Sequence, residues 1–271
     1  MRRPELDYHR IAELKARAAI VLKHHACAVP VDPKAIIANE DELRLHYDDF
    51  GDAFEGAIEY DQRNDKYDIF INTRPSGLAV ERERFTLSHE LGHFFIKEHQ
   101  FDLADGKVPS YRFGQSVKNL DFAEALAELE ADCFASHLLV PEDELKAEMA
   151  KVKGAEGTLS GLIGGLADHF KVSFECAANR FVTNTDLCCA LAVYPRTPFR
   201  VPWVEVSTSF QKRFKVSRNS KLAPYPTAAG YLVGIIGEWF EDVLPSLRGE
   251  PVRAKIVLST HGAVALLRSS S

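Results

Sequence analysis
Between Tyr8 and His25, apolar residues recur at Ile11, Leu14, Ala18, Ile20, Val21 and Leu22, with charges between them. That spacing predicts an amphipathic helix packed across the module that follows. Val29-Pro30-Val31-Asp32-Pro33 interrupts the pattern, and Asp32 with Pro33 behind it reads as the N-cap and first turn of a short helix through Ala38. The period then changes to two. Leu43–Tyr47, Gly56–Tyr60 and Tyr67–Asn72 read as strands bounded by polar turns, and a small antiparallel sheet is expected. Helical spacing returns over Phe85–Phe95. Residues 100–120 mix polar and turn-forming types and read as a loop or broken helix beside a cleft. A second strong helix spans Asp121–Leu139, with Asp121 and Glu124 placed for a capping box and Val140-Pro141 as its stop.

Beyond it, Leu159–Phe170 and Phe174–Phe181 read as two short helices around a turn, with Ser173 as a cap. This has the look of a helix-turn-helix, yet Arg180 is the one basic residue on its second helix. Packing is therefore favoured over binding to nucleic acid. Leu187–Tyr194 reads as a buried strand, and Pro195 and Pro198 mark a turn or linker. Strands at Trp203–Ser209, Arg253–Ser259 and Ala263–Arg268, with a helix over Ala228–Leu244, predict a small α+β unit. The expected organisation is a first module over residues 1–150, a helical module over 151–185 and the α+β unit over 186–271.

Hydrophobic residues are 46% and charged residues 27% of the 271, ordinary usage for a soluble globular protein. No apolar run is long enough to span a bilayer, and Met1-Arg-Arg-Pro is not followed by the apolar stretch of a secretory signal, so a cytoplasmic protein with no membrane partner is expected. The five cysteines are odd in number and lack C-x-x-C spacing, which disfavours a disulfide framework or a cysteine-built zinc site. A net charge of -6 gives no overall attraction to nucleic acid. Lys212, Arg213, Lys215, Arg218 and Lys221 run against that balance. They read as a solvated hairpin, with a contact to an acidic peptide or to DNA phosphates as the less favoured alternative.

The chemistry gathers at His89-Glu90-Leu91-Gly92-His93. Residues four apart on a helix lie on one face, so His89 and His93 can turn two imidazoles toward one ion. Glu90 is placed to act as a base on water there. Two imidazoles and a carboxylate suit Zn²⁺, with Mn²⁺ the alternative ion. Gly92 permits close approach of another backbone. For the third ligand the 121–139 helix offers Glu128, with Asp132 one turn on to hold a histidine ring from behind. Glu130 is about 200° around the helix from Glu128 and is expected to face solvent, as is Glu124. His99, ten residues after His89, is the rival ligand. The metzincin pattern needs glycine where Ile96 stands, and a helix continuing through Ile96 would carry His99 off the ligand face, so Glu128 is preferred. Tyr111 and His137 are candidates for an oxyanion donor.

Ser88-His-Glu-Leu-Gly-His93, together with Glu128-Leu-Glu-Ala-Asp-Cys-Phe-Ala-Ser-His-Leu-Leu-Val-Pro141, resembles the ImmA/IrrE family of gluzincin-like metallopeptidases, whose second block reads E-x-x-A-[DN]-x-F-A-x-x-L-L-x-P. The likeness spans about residues 1–185. It implies His89, His93 and Glu128 as zinc ligands and Glu90 as the catalytic carboxylate. It also implies a substrate: helix-turn-helix (XRE-type) repressors, whose cleavage induces stress-response or mobile-element genes. The 85 or so residues beyond the peptidase part resemble IrrE-type members, which add a helical module and a sensor-like, GAF-like domain. The alternative is a regulatory protein that keeps the zinc fold and acts by binding DNA or a protein. An intact Glu90 argues against it, since a pure binder has no use for that carboxylate.

Overall fold
The structure, a computed structural model, describes residues 5–74, 79–114, 121–151, 159–195, 203–216, 230–235, 245–247, 251–259 and 262–269. The chain forms two compact units, Met1–Leu145 with Ala167–Ser173, and Lys146–Leu166 with Phe174–Ser271. Together they make an α+β protein.

The first unit opens on α1 (Tyr8–His24), where the Asp7 side chain accepts from the Arg10 amide at 2.8 Å. Its buried stripe is Leu14, Ala18 and Val21. Ile20 is 67% exposed, because six residues carry it about 240° around the helix from Leu14. Helix α2 (Pro33–Ala38) has the expected cap, Asp32 accepting from the Lys34 amide at 3.0 Å.

Strands β1 (Leu43–Asp48), β2 (Gly56–Asp61), β3 (Lys66–Asn72) and β4 (Tyr111–Phe113) form one sheet in the order β1-β3-β2-β4. The expectation of an antiparallel sheet is corrected here. β1 lies parallel to β3, Leu45 opposite Ile69, while β2 runs antiparallel to both β3 and β4. Strand β3 is inserted between the two strands that precede it, so the link from β1 to β2 is a crossover instead of a hairpin. The buried Asn72 side chain holds that link. Its amide donates to the carbonyls of Gly51 and Phe54 at 2.8 and 2.7 Å, and its oxygen accepts from the amides of Phe50 and Arg74 at 3.1 and 3.0 Å. One polar side chain satisfies backbone groups that a ladder would otherwise occupy.

Helix α3 (Val80–Phe95) crosses this sheet and is followed by α4 (Lys97–Ala104). The helix does not run on through Ile96, whose backbone is extended at φ -79° and ψ 107°. Arg17 donates to the Phe95 carbonyl at 2.9 Å, which satisfies one orphan group of the break. Helix α5 (Phe122–Leu139) starts in a full capping box, Asp121 and Glu124 each accepting from the other's amide at 2.9 Å. It lies between α1 and α3. At Gly92 the two backbones nearly touch: a Cβ there would stand 3.1 Å from Ala131 Cα and 3.2 Å from its carbonyl oxygen. Leu14, Ala18, Leu87, Leu91, Phe94, Phe134 and Leu138 close the core around that crossing.

Helices α6 (Glu142–Lys151) and α7 (Leu159–Phe170) follow. In the second unit α8 (Phe174–Asn184) packs on β5 (Cys189–Pro195) and β6 (Trp203–Val206). Arg180 of α8 is 3% exposed, so it offers nothing to a phosphate backbone. The chain continues through α9 (Thr208–Phe214), β7 (Gly230–Ile235), β8 (Pro251–Ser259) and β9 (Gly262–Ser269). Five antiparallel strands stand in the order β6-β5-β9-β8-β7. Two expectations fail here. The helix over 228–244 is a strand where it is described, since Gly230 and Gly234 disfavour a helix while Tyr231, Val233 and Ile235 favour a strand. The described part of the basic run is helical, with no hairpin: Lys212 and Arg213 are exposed on α9, Lys215 ends that helix with φ 57°, and Arg218 and Lys221 lie outside the described residues. None of the five cysteines forms a disulfide.

The Gly92 contact makes a direct prediction. Gly92→Val should lower the unfolding free energy of metal-free protein by about 1–3 kcal/mol, the usual cost of overpacking, as read by urea denaturation. An unchanged midpoint would mean that α3 and α5 do not meet there.

Candidate metal centre
Helix α3 turns His89 and His93 toward α5 from positions one turn apart, and both are fully buried. Glu128 reaches them from α5. Its Oε2 lies 3.3 Å from His89 Nε2, its Oε1 3.4 Å from His93 Nε2, and the two Nε2 atoms are 3.1 Å apart. One donor atom from each residue falls within 4.8 Å of the others, the geometry of a set that can hold one ion. Asp132, one turn beyond Glu128, has Oδ1 3.0 Å from His89 Nδ1. A carboxylate can only accept, so Nδ1 carries the hydrogen and Nε2 keeps its lone pair for the cluster.

Glu90 is fully buried, and neither of its carboxylate oxygens has a hydrogen-bond partner. Burial pushes its pKa up to about 8, with His89 pulling it down and Glu128 adding to the rise. An orphaned buried carboxyl is costly and calls for a polar partner in the space it faces. Burial also pushes the Glu128 carboxyl up, but His89 and His93 hold it well below the ordinary range. Burial takes His93 down to about 3. For His89 the same effect is outweighed by Glu128 and Asp132, which raise it. Carboxylates that draw a proton onto His89 favour any cation at that point. The donors present, two imidazole nitrogens and a carboxylate beside an unsatisfied acid, therefore fit a divalent ion.

Two features of this site come from outside the motif. Strand β4 lays Tyr111 against His93, ring centroids 4.1 Å apart and planes within 8°, and Phe113 against His89 at 4.3 Å. Gly56, at the start of β2, leaves the space for Glu90: a Cβ there would stand 2.6 Å from Glu90 Oε1 and 2.4 Å from Thr86 Cγ2. A three-residue strand is too short to read by period. A glycine opening a strand is the one signal the sequence carried.

Other candidates sit elsewhere. His99 is not in the cluster. It stands behind His93, Nδ1 to Nδ1 at 3.1 Å, and its Nε2 is 3.0 Å from Glu130 Oε2. Glu130 corrects the expectation of a solvent-facing residue: it is 7% exposed, and Arg10 donates to its two oxygens at 2.8 and 2.6 Å. The 200° rotation from Glu128 stands, but α1 covers that second face. His137 lies half a turn around α5 from Glu128, with Nδ1 2.8 Å from the Cys133 carbonyl, and the structure does not bring it to the cluster.

The IrrE N-terminal-like domain, a peptidase family, matches residues 39–182. The chain belongs to that family. The match contains His89, Glu90, His93, Glu128 and Asp132 and leaves α1 outside it. No curated protein matches the chain. Membership in this metallopeptidase family implies a metal ion and a protein substrate. Among the described residues no helix is long and apolar enough to cross a membrane.

Two outcomes are expected. Gly56→Ala should displace the Glu90 carboxylate and lower peptidase activity at least tenfold while leaving metal content unchanged, measured by elemental analysis beside a cleavage assay. The second concerns pH. Burial raises Glu130, but the bonds from His99 and Arg10 win and hold it at about 2. The unfolded value is about 4.3, so the folded state binds fewer protons in this window and the group's contribution is full above about pH 5. It is lost as pH falls toward 2. The unfolding free energy of chelator-treated protein should drop across that window, and Glu130→Gln should flatten the drop.

Proposed function
We propose that the chain is a zinc-dependent endopeptidase with a gluzincin-like site, acting in the cytoplasm on a protein. A helix-turn-helix transcriptional repressor is the substrate that family resemblance implies, with induction of stress-response or mobile-element genes as the result. The observation that carries this reading is the Glu90 carboxyl, buried and unpartnered beside His89, His93 and Glu128. His89, His93 and Glu128 would hold the ion, and this nitrogen-rich donor set suits zinc, with manganese the alternative. When bound, the ion supplies Lewis acidity toward a carbonyl and makes water a nucleophile near neutral pH.

The chain's own residues do the rest. Glu90 takes a proton from the attacking water on a carboxylate oxygen and returns it to the leaving amine. Asp132 holds the His89 ring from behind. Tyr111 and Phe113 keep bulk water from the imidazoles, and β4, the sheet edge on this side, offers its backbone to an extended peptide. Tyr111 is the better placed of the two oxyanion candidates, since it lies on His93 while His137 faces its own helix. Residues 151–185 act as a packing module and 186–271 as a sensor-like domain. A protein that acted only by binding would have no need for a buried acid at position 90.

Glu90→Gln should retain one equivalent of zinc and lose peptidase activity by about 100-fold or more, the usual scale for a proton-transfer group. The assay is incubation with helix-turn-helix repressors, with and without chelator, reading fragments by mass spectrometry. Cleavage that persists in the variant would remove Glu90 from the chemistry.

A further inference from the structure
We propose that Arg10, Glu130 and His99 form a hydrogen-bonded chain that fixes His93 in the tautomer whose Nε2 lone pair faces the ion, so that helix α1 governs how tightly the ion is held. This rests on the reading of His89, His93 and Glu128 as ligands.

The chain is read from its outer end. Arg10 grips Glu130 with two donors, Nε on one oxygen and Nη2 on the other, the paired geometry that keeps a carboxylate ionised. An ionised carboxylate only accepts, so His99 Nε2 must carry a hydrogen to meet Glu130 Oε2 at 3.0 Å. His99 Nδ1 then has its lone pair free. It stands 3.1 Å from His93 Nδ1, and only one hydrogen fits between the two nitrogens. His93 supplies it. Its own Nε2 is left bare, 3.4 Å from Glu128 and 3.1 Å from His89 Nε2. The reverse arrangement would put the hydrogen on His93 Nε2 and close that position to a cation.

His89 reaches the same state by a shorter route, directly from Asp132, whose side chain is 44% exposed. The inner part of the route to His93 is buried: His99 is 4% exposed and Glu130 7%. Tyr111 covers it, stacked on His93 and 5.3 Å from the His99 ring. Arg10 belongs to α1, which precedes the family match. A ligand of the metal centre is thus tied to a helix that lies before the matched domain. If the cluster served only to glue α1 to α5, its loss would lower stability and leave metal affinity alone.

The test is zinc affinity by chelator competition on metal-depleted full-length protein, with urea unfolding in excess chelator as a separate measure of the fold. His89→Ala should abolish tight binding. His99→Phe keeps a ring but offers no acceptor, and should weaken binding by about 10- to 100-fold, the usual scale for a supporting partner of a ligating histidine. His99→Gln, whose amide can accept from His93 and donate to Glu130, should restore affinity to within a few-fold of the original. Arg10→Met should fall between them. Unaltered affinity in His99→Phe, with His89→Ala still defective, would overturn the relay and leave the metal reading intact. Equal binding by the original protein and His89→Ala would overturn both. Should His99→Phe not fold, ¹⁵N spectra of the histidine rings in the metal-free protein decide: hydrogen on Nδ1 of His93 supports the relay, and hydrogen on Nε2 overturns it.

Discussion
Everything at the centre depends on how closely α3 approaches α5. Two imidazoles on one helix and a carboxylate on another can share an ion only if the helix axes come within the reach of a glutamate. Gly92 permits that approach by presenting no side chain to the Ala131 backbone. The same glycine lies between the two histidines, so the residue that lets the helices meet sits inside the motif whose chemistry needs the meeting. Phe134 and Leu138 below the crossing and α1 behind it keep α5 from sliding away. The geometry of Glu128 is therefore a property of packing as much as of sequence.

The sheet has a complementary role. It supplies no residue to the cluster of donors, yet it shapes the space around it. Gly56 makes room for Glu90, and β4 covers the two imidazoles with aromatic rings. Removing water from this space strengthens each charge interaction within it and accounts for the high pKa of Glu90. A rigid sheet is needed for that. Asn72, which ties down the crossover between β1 and β2, is one reason it stays rigid.

Local signals were readable where the chain's own periodicity decides the outcome. The four-residue spacing of His89 and His93, and of Glu128 and Asp132, placed both pairs on the right helix faces. The caps at Asp32 and Asp121 marked the helix starts because a side chain two or three residues from its target settles them. What could not be read was decided at a distance. Nothing near Glu130 announces that Arg10, far off in the chain, will cover it. The mixed order of the sheet follows from where β3 inserts, and β4 is too short to show a period. The break at Ile96, which frees His99 to turn behind His93, has no proline or glycine to announce it. In the second unit Gly230–Ile235 is a strand where the pattern predicts a helix, because an apolar run fits either equally well until its partner strand is known.

The unequal shelter of Asp132 and Glu130 gives the centre a firm side and a loose one. Mobile ions in solution reach Asp132 and blunt its hold on the His89 ring, whereas the support behind His93 lies under protein and is little affected.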